Sequence, residues 1–354
     1  MQATGYSGYS MGISKSSLLI LLIFLSMTAA YGDVVRQDAA VLEGKTYPNV
    51  YKWTNISTKP IAVVIAVHGL TLHGLIFDAL ARHLAERNFV VFAPDLRGYG
   101  RWCKTKVAGK QQENSLPSIS YDQSKADLLD LIKAAKSDYS DIPLYCLGES
   151  LGAGMVLYAA STEPSMVDGL ILSSPAIKRR LNLGPRFLTD TAKLVTNPNR
   201  ELDLIPYMKR FASEDPRIVT ETINDPLVRK KFTFWDLLRT IQTIKPTLKY
   251  ADKVSPDLPV LVIQSNNDKV LYSKAIVDLL AHLQSEDQTV KWFRNHGHLM
   301  LETAYLQSDT LQTVDRWLDE HIYTKTTNLR MSQSAAQLAD FSQDSVNLKP
   351  LAQE

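Results

Sequence analysis

The chain has 354 residues, long enough for one large α/β domain with an insertion or for two domains. Its 45% hydrophobic and 21% charged residues are ordinary for a globular protein, and a net charge of +2 gives no global reason to expect nucleic acid. Its two cysteines, Cys103 and Cys146, are too few for a zinc thiolate site, and Cys146 reads as a small buried side chain in an apolar strand.

In chain order, a Gly/Ser/Tyr-rich leader with one charge, Lys15, precedes an apolar run over residues 18–27 and the small-residue stretch Thr28-Ala29-Ala30-Tyr31-Gly32. The run is too short to span a bilayer comfortably and suits a signal-peptide core, so residues 1–32 are expected to be a signal peptide or an N-terminal anchor. The protein is then exported, periplasmic or secreted, or held at a membrane by that segment. Residues 34–58 are expected to hold two antiparallel edge strands, one of them around Tyr51-Lys52-Trp53. Ile61-Ala62-Val63-Val64-Ile65-Ala66-Val67 is continuous and β-branched, as a strand buried on both faces should be, and it ends in His68-Gly69-Leu70. Phe77, Leu80, Ala81 and Leu84 are spaced for a helix. The next strand, Phe89-Val90-Val91-Phe92-Ala93-Pro94, runs into Asp95-Leu96-Arg97-Gly98-Tyr99-Gly100.

A polar loop over 104–117 leads to Ser120-x-x-Gln123, read as a capping box for a helix with Leu128, Leu131, Ile132 and Ala135 on one face. Residues 144–154, Leu-Tyr-Cys-Leu-Gly-Glu-Ser-Leu-Gly-Ala-Gly, read as an apolar strand, a sharp turn and a small-residue helix start. The stretch 167–173 is a further strand, after which the alternation stops until Pro259-Val260-Leu261-Val262-Ile263-Gln264. A helix carrying Ile276, Leu279, Leu280 and Leu283, a strand around Val290-Lys291-Trp292-Phe293 and a helix with Leu311, Val314 and Leu318 complete the pattern. Strands alternating with helices imply right-handed crossovers and a parallel sheet. The expected organisation is a core over 33–175, an inserted cap over 176–250, more core over 251–323 and a polar flexible tail over 324–354.

The chemistry centres on Gly148-x-Ser150-x-Gly152. A strand-to-helix turn this sharp lifts the serine Oγ above the sheet, and a Cβ two residues to either side would clash. Flanking glycines on both sides weigh against Ser150 being a simple helix N-cap. Ligands of open parallel sheets sit at the carboxyl ends of the strands, and Ser150, Asp268 and His298 each follow such an end, in the order Ser, Asp, His. A serine hydroxyl needs an imidazole to take its proton, and the imidazole needs a carboxylate to fix its tautomer. Ser150 is therefore read as nucleophile, His298 as base and then acid, and Asp268 as the group that orients His298. The backbone N–H groups of Leu151 and Leu70 are expected to receive the oxyanion. His298 is preferred to His296 because Gly297 before it and Leu299-Met300 after it give a sharp turn into a helix. Asp268 is preferred to Asp257, at the wrong end of its strand, and to Asp287, in a polar loop. His68 is read as structural, and Arg97 as fixing its turn through backbone carbonyls.

Together, His68-Gly69, Asp95-Leu96-Arg97-Gly98-Tyr99-Gly100, Gly148-Glu149-Ser150-Leu151-Gly152, Asp268 and Gly297-His298 resemble the monoacylglycerol lipase and lysophospholipase group of α/β-hydrolases, often labelled serine aminopeptidase-like. The likeness covers residues 47–323, and Asn224-Asp225-Pro226-Leu227-Val228 resembles the group's Asp-Pro-Leu segment. It implies an α/β-hydrolase fold: a mostly parallel eight-stranded sheet flanked by helices, with a helical cap inserted after the sixth strand. It also implies a serine hydrolase of monoacyl lipid esters, with no cofactor and no metal; aminopeptidase, acyltransferase and non-catalytic binding roles use the same scaffold. Two positions depart from the pattern: Trp102 stands where a serine is usual, and Leu70 replaces a small residue and is expected to narrow the acyl pocket.

The stretch 176–250 carries 15 Lys+Arg against 8 Asp+Glu, in a chain whose net charge is only +2. This reads first as a solvated helical face. The sharper reading is a cap that meets anionic lipid head groups, helped by Leu181, Leu183, Phe187, Leu188, Phe232, Phe234, Trp235, Leu237 and Leu238.

Overall fold

A computed structural model describes residues 33–104, 117–178 and 185–323. The N-terminal apolar run, nearly all of the polar loop after Lys104, the start of the cap with Leu181 and Leu183, and the polar tail lie outside them. Among the described residues no helix is long and apolar enough to cross a membrane.

Eight strands form one sheet: β1 (Val34–Gln37), β2 (Val50–Asn55), β3 (Ala62–Val67), β4 (Phe89–Pro94), β5 (Leu144–Glu149), β6 (Gly169–Ser173), β7 (Val260–Ser265) and β8 (Gln288–Phe293). Their spatial order is β1-β2-β4-β3-β5-β6-β7-β8. β2 pairs antiparallel with both β1 and β4, and the other pairings of this sheet are parallel. Each residue of β3, β4, β5 and β7 is buried, which is why these segments show no polar–apolar alternation. At the far edge, β8 exposes Thr289 and Lys291, as a half-covered strand should. A small hairpin pairs Ala40–Leu42 with Lys45–Tyr47 between the two edge strands, an element the sequence pattern did not separate.

Helices cover both faces. Val63, Ile65, Val67, Leu144 and Cys146 pack against α2 (Tyr121–Asp138) and α3 (Leu151–Thr162). Val64, Ala66, Tyr145 and Leu147 face α1 (Asp78–Glu86) and the C-terminal helix over 308–323, through Leu80, Leu84, Val314, Trp317 and Leu318. The α9 helix (Ile276–His282) lies on the same face as α2 and α3, with Ile276 and Leu279 buried in that cluster. Cys103 and Cys146 are both free thiols.

Two local expectations are corrected. Ser120 occupies the N-cap of α2, but its side chain caps nothing; Ser124 Oγ–H instead bonds Ser120 O at 2.8 Å and accepts Arg97 N–H at 2.9 Å. A second anchor for the turn replaces the capping box. Arg97 does not reach backbone carbonyls. Its guanidinium grips Asp127 on α2, with Nη2 at 2.8 Å from Oδ1, and stacks 4.0 Å over the Trp102 ring. Trp102, the departure from the family pattern, thus supplies a flat platform and donates its indole N–H to Asp95 O at 2.9 Å.

Among the described residues five helices fill the insertion between β6 and β7: α4 (Pro185–Thr196), α5 (Ile205–Phe211), α6 (Pro216–Asn224), α7 (Phe234–Ile244) and α8 (Thr247–Ala251). Thr233 and Asp236 form a capping box at the start of α7, so this helix begins where its sequence dictates. Arg229 fastens the insertion to the core. It bonds Asp236 at 2.8 Å, Gly98 O at 2.8 Å and Pro117 O at 2.6 Å, and its own N–H donates to Thr71 O. A second tie joins His73 Nε2 to Asp225 at 3.0 Å, in the Asp-Pro-Leu segment.

Candidate active site

The parallel registers bring the carboxyl ends of β3, β5, β7 and β8 to one edge, with Val67 opposite Gly148 and Ser265 opposite Phe293. The loops leaving these ends carry His68, Ser150, Asp268 and His298. Ser150 has φ 57° and ψ −114°, a left-handed conformation that a serine adopts only under constraint, and its side chain makes no cap bond. Its neighbours explain why the turn can be so tight. A Cβ on Gly148 would lie 2.4 Å from Gly152 backbone, and one on Gly152 would lie 1.9 Å from Val67 O. Gly152→Ala is therefore expected to push α3 off β3 and to cost about 3 kcal/mol, the upper end of overpacking penalties; a denaturation midpoint close to wild type would contradict this packing.

Three of the predicted residues converge. His298 Nε2 lies 2.9 Å from Ser150 Oγ, and His298 Nδ1 lies 2.8 Å from Asp268 Oδ2. Asp268 is fully buried, and its Oδ1 accepts the N–H groups of Val270 and Leu271, both at 2.8 Å. Gln264 donates to Oδ2 at 3.2 Å. A carboxylate with these donors stays charged despite burial. Burial pushes the Asp268 carboxyl up, but the charge and hydrogen bond of His298 and the two N–H groups outweigh it, and the net direction is down. Burial likewise opposes an imidazolium at His298, yet the charge and hydrogen bond of Asp268, joined by the charge of Glu149, raise it above its ordinary 6.5. Asp268 holds the hydrogen on Nδ1, which leaves Nε2 facing the serine as an acceptor. Because a base must be neutral, turnover should rise with pH and reach half its plateau above pH 6.5. A kcat/KM profile with its acid limb clearly below that value would contradict the coupling.

The competing residues stand elsewhere. His296 stacks on Phe293 at 4.4 Å and pairs with Asp309 at 3.0 Å, while its carbonyl accepts the Ser265 hydroxyl. Asp287 is exposed and meets His321 at 3.1 Å, and Asp257 lies before β7, at the opposite end of the sheet. His68 is fully buried and acts within the loop. Leu96 N–H donates to its Nε2 at 3.0 Å, so Nδ1 carries the hydrogen that bonds Gly69 O at 2.8 Å. Burial pushes this imidazole down to about 4, so it stays neutral and holds both turns together.

A cavity of about 370 Å³ opens on Ser150 and His298. Its wall is largely apolar and comes from both layers: Leu70, Leu72, Leu151 and Leu271 from the core, and Met208, Phe211, Leu237 and Leu238 from the cap. Leu70 and Leu151 both line this cavity together with Ser150.

Two residues escaped sequence reasoning. Glu149, the variable position before the serine, is fully buried. It accepts Ser173 Oγ–H at 2.8 Å and the N–H groups of Met300, Leu301 and Glu302 at 2.7, 3.0 and 2.8 Å. It thereby clamps the segment just after His298 to the elbow. Glu302, also fully buried, accepts Gly69 N–H at 2.5 Å and ties the same segment to the loop that carries Leu70. One signal was available: a lone acid ending the apolar stretch Leu299-Met300-Leu301.

Residues 58–303 match the serine aminopeptidase S33 family of hydrolases. The chain is similar to the monoglyceride lipase of Rattus norvegicus, 25% identical over 272 residues that span 75% of this chain and 85% of the rat protein. Among solved structures it is similar to a soluble variant of the Saccharomyces cerevisiae monoglyceride lipase in complex with a substrate analog, with a TM-score of 0.62 and 19% identity over 80% of this chain and 94% of that one. It is also similar to a carboxyl esterase from Bacillus coagulans in complex with glycerol, with a TM-score of 0.63 and 21% identity over 82% and 99% of the two chains. With the family matched over most of its length and the α/β-hydrolase sheet in place, the chain belongs to the serine aminopeptidase S33 family and is a serine hydrolase.

Proposed function

We propose that this enzyme cleaves carboxylic esters of monoacyl lipids, monoacylglycerols or lysophospholipids, through an acyl-enzyme on Ser150. His298 takes the serine proton as Oγ attacks the ester carbon and passes it to the departing alcohol; water activated by the same imidazole then releases the fatty acid. Asp268 keeps His298 in the required tautomer, and the N–H groups of Leu70 and Leu151 hold the developing oxyanion. The observation that carries the reading is the apolar cavity ending at the Ser150–His298 pair, within the roughly 300–1,000 Å³ range of small-molecule sites and suited to a hydrocarbon chain. The monoglyceride lipase relative supports the choice of substrate class. A panel of monoacylglycerols, lysophosphatidylcholine, triacylglycerol, short p-nitrophenyl esters and chromogenic aminoacyl amides tests it, with Ser150→Ala as control. Monoacyl lipids should give the highest kcat/KM; a preference for aminoacyl amides would replace the reading with a peptidase.

The cap supports a further part of the reading, contact with a membrane surface. Leu188 and Val195 on α4 and Trp235 and Ile241 on α7 are exposed large apolar groups, and Phe234, Leu237 and Leu238 on α7 line the cavity. With the basic excess of this stretch, the enzyme should bind anionic vesicles more tightly than neutral ones, and equal partitioning would remove the electrostatic component. The N-terminal apolar run is proposed to direct export or to anchor the chain.

A further inference from the structure

The two buried carboxyls behind the site are satisfied unequally. Four donors surround Glu149, filling both of its oxygens. Among the described residues Glu302 accepts only Gly69 N–H, on Oε1, and its Oε2 is buried without a hydrogen-bond partner. Two neighbouring carboxylates cannot both be ionised at low cost in a dry interior, so the pair keeps a proton. The carboxyl ringed by donors retains the charge, and the one with a bare oxygen retains the hydrogen.

We propose that Glu149 and Glu302 act as one monoanionic pair of positioning residues, with Glu149 the fixed negative charge behind His298 and Glu302 the neutral acid behind the oxyanion loop. The inference rests on the Ser150–His298 mechanism above. In that mechanism positive charge grows on His298 while negative charge grows beside Leu70 and Leu151. The pair matches this separation: its anion lies on the imidazolium side and its proton on the oxyanion side. Proximity makes the distribution matter. A Cβ on Gly69 would sit 3.0 Å from Glu302 Oε2 and 3.2 Å from Ser150 Cβ, so acid and nucleophile flank a single glycine. An ionised Glu302 would oppose the oxyanion from that distance.

The electrostatics of the cluster agree. Burial and then the charge of Glu149 push Glu302 well above the usual carboxylic range, against a smaller opposing pull from Gly69 N–H. Burial moves Glu149 up too, opposed by Met300 N–H, Ser173, the charge of His298 and Leu301 N–H. The other titratable groups around the pair are His298 with Asp268, His68 and Asp95 behind the oxyanion loop, and Glu221 of α6, which bonds Thr303 Oγ1 and Ala304 N–H.

The test compares wild type, Glu149→Gln and Glu302→Gln by pH profiles on one p-nitrophenyl ester and by infrared spectroscopy of the folded proteins. Wild type at pH 7 should show the carbonyl band of a buried protonated carboxyl, and Glu302→Gln should lose it. Wild-type kcat should fall at alkaline pH as Glu302 ionises, and Glu302→Gln, which keeps an acceptor for Gly69, should lose that fall. Glu149→Gln should move the acid limb of kcat/KM to lower pH, with KM little changed, because His298 loses a supporting anion. A purely structural brace would leave these limbs in place. Absence of the infrared band in wild type, or normalised profiles that superimpose, would overturn the proposal. Should either variant fail to fold, the wild-type band still decides it. A wild type that no fluorophosphonate labels would count against the Ser150 mechanism instead, and the infrared result would still judge the pair.

Discussion

Ser150→Ala is expected to abolish fluorophosphonate labelling and to reduce ester hydrolysis by roughly 10⁴- to 10⁶-fold, the range seen when a triad nucleophile is removed. On the proposed mechanism the change deletes the atom that forms the acyl bond, while His298, Asp268 and the cavity keep their places. Whatever activity is left comes from binding and from the backbone donors. Thermal unfolding should be nearly unchanged, because the Ser150 side chain makes no cap bond and the left-handed backbone is imposed by the turn rather than by the hydroxyl. Labelling that survived the substitution would mean that a different nucleophile does the chemistry.

Arg229→Met should lower the unfolding free energy by about 3–5 kcal/mol, measured by guanidinium denaturation at pH 7. Arg229 and Asp236 are both almost fully buried, and the guanidinium also bonds the carbonyls of Gly98 and Pro117. Methionine fills much of the space but leaves Asp236 short of a partner and removes donors from the carbonyls of Gly98, Pro117 and Lys231. The double variant Arg229→Met/Asp236→Leu should recover part of the loss, since removing both charges avoids stranding either. Recovery is incomplete because Asp236 also accepts Thr233 N–H in the capping box of α7. If the single variant proved as stable as wild type, Arg229 would not be the bolt between cap and core. Activity should fall with stability, because the Arg229 main chain also holds Thr71 O, next to Leu70.

The parts of the fold legible from sequence are those where a local rule and the tertiary structure agree. The unbroken apolar runs of β3, β5 and β7 could only be strands covered on both faces, and the two glycines of the elbow announce a backbone approach that any Cβ would block. Contacts made across the chain were hidden. Nothing near Arg97 points to Asp127, which lies 30 residues away on α2, and the same rearrangement turned Ser120 from a cap into an acceptor for Ser124. Glu149 and Glu302 were missed for a related reason. A charged residue inside a motif or at the end of an apolar run normally reads as solvent-facing, and only the fold shows donors converging on it. His296 and His298 could be separated in sequence by the turn around Gly297, while the partner that occupies His296, Asp309, came only with the coordinates.

The serine and its imidazole are 148 residues apart, with the whole cap between them. A chain made from its N-terminus therefore carries the elbow long before the base exists. Until the last strand of the sheet has left the ribosome, the proposed nucleophile Ser150 has no imidazole beside it, so on the proposed mechanism a half-made or truncated product is chemically silent toward lipids it meets on the way. The same separation defers the site to the closing stage of folding, when the most distant segments finally meet.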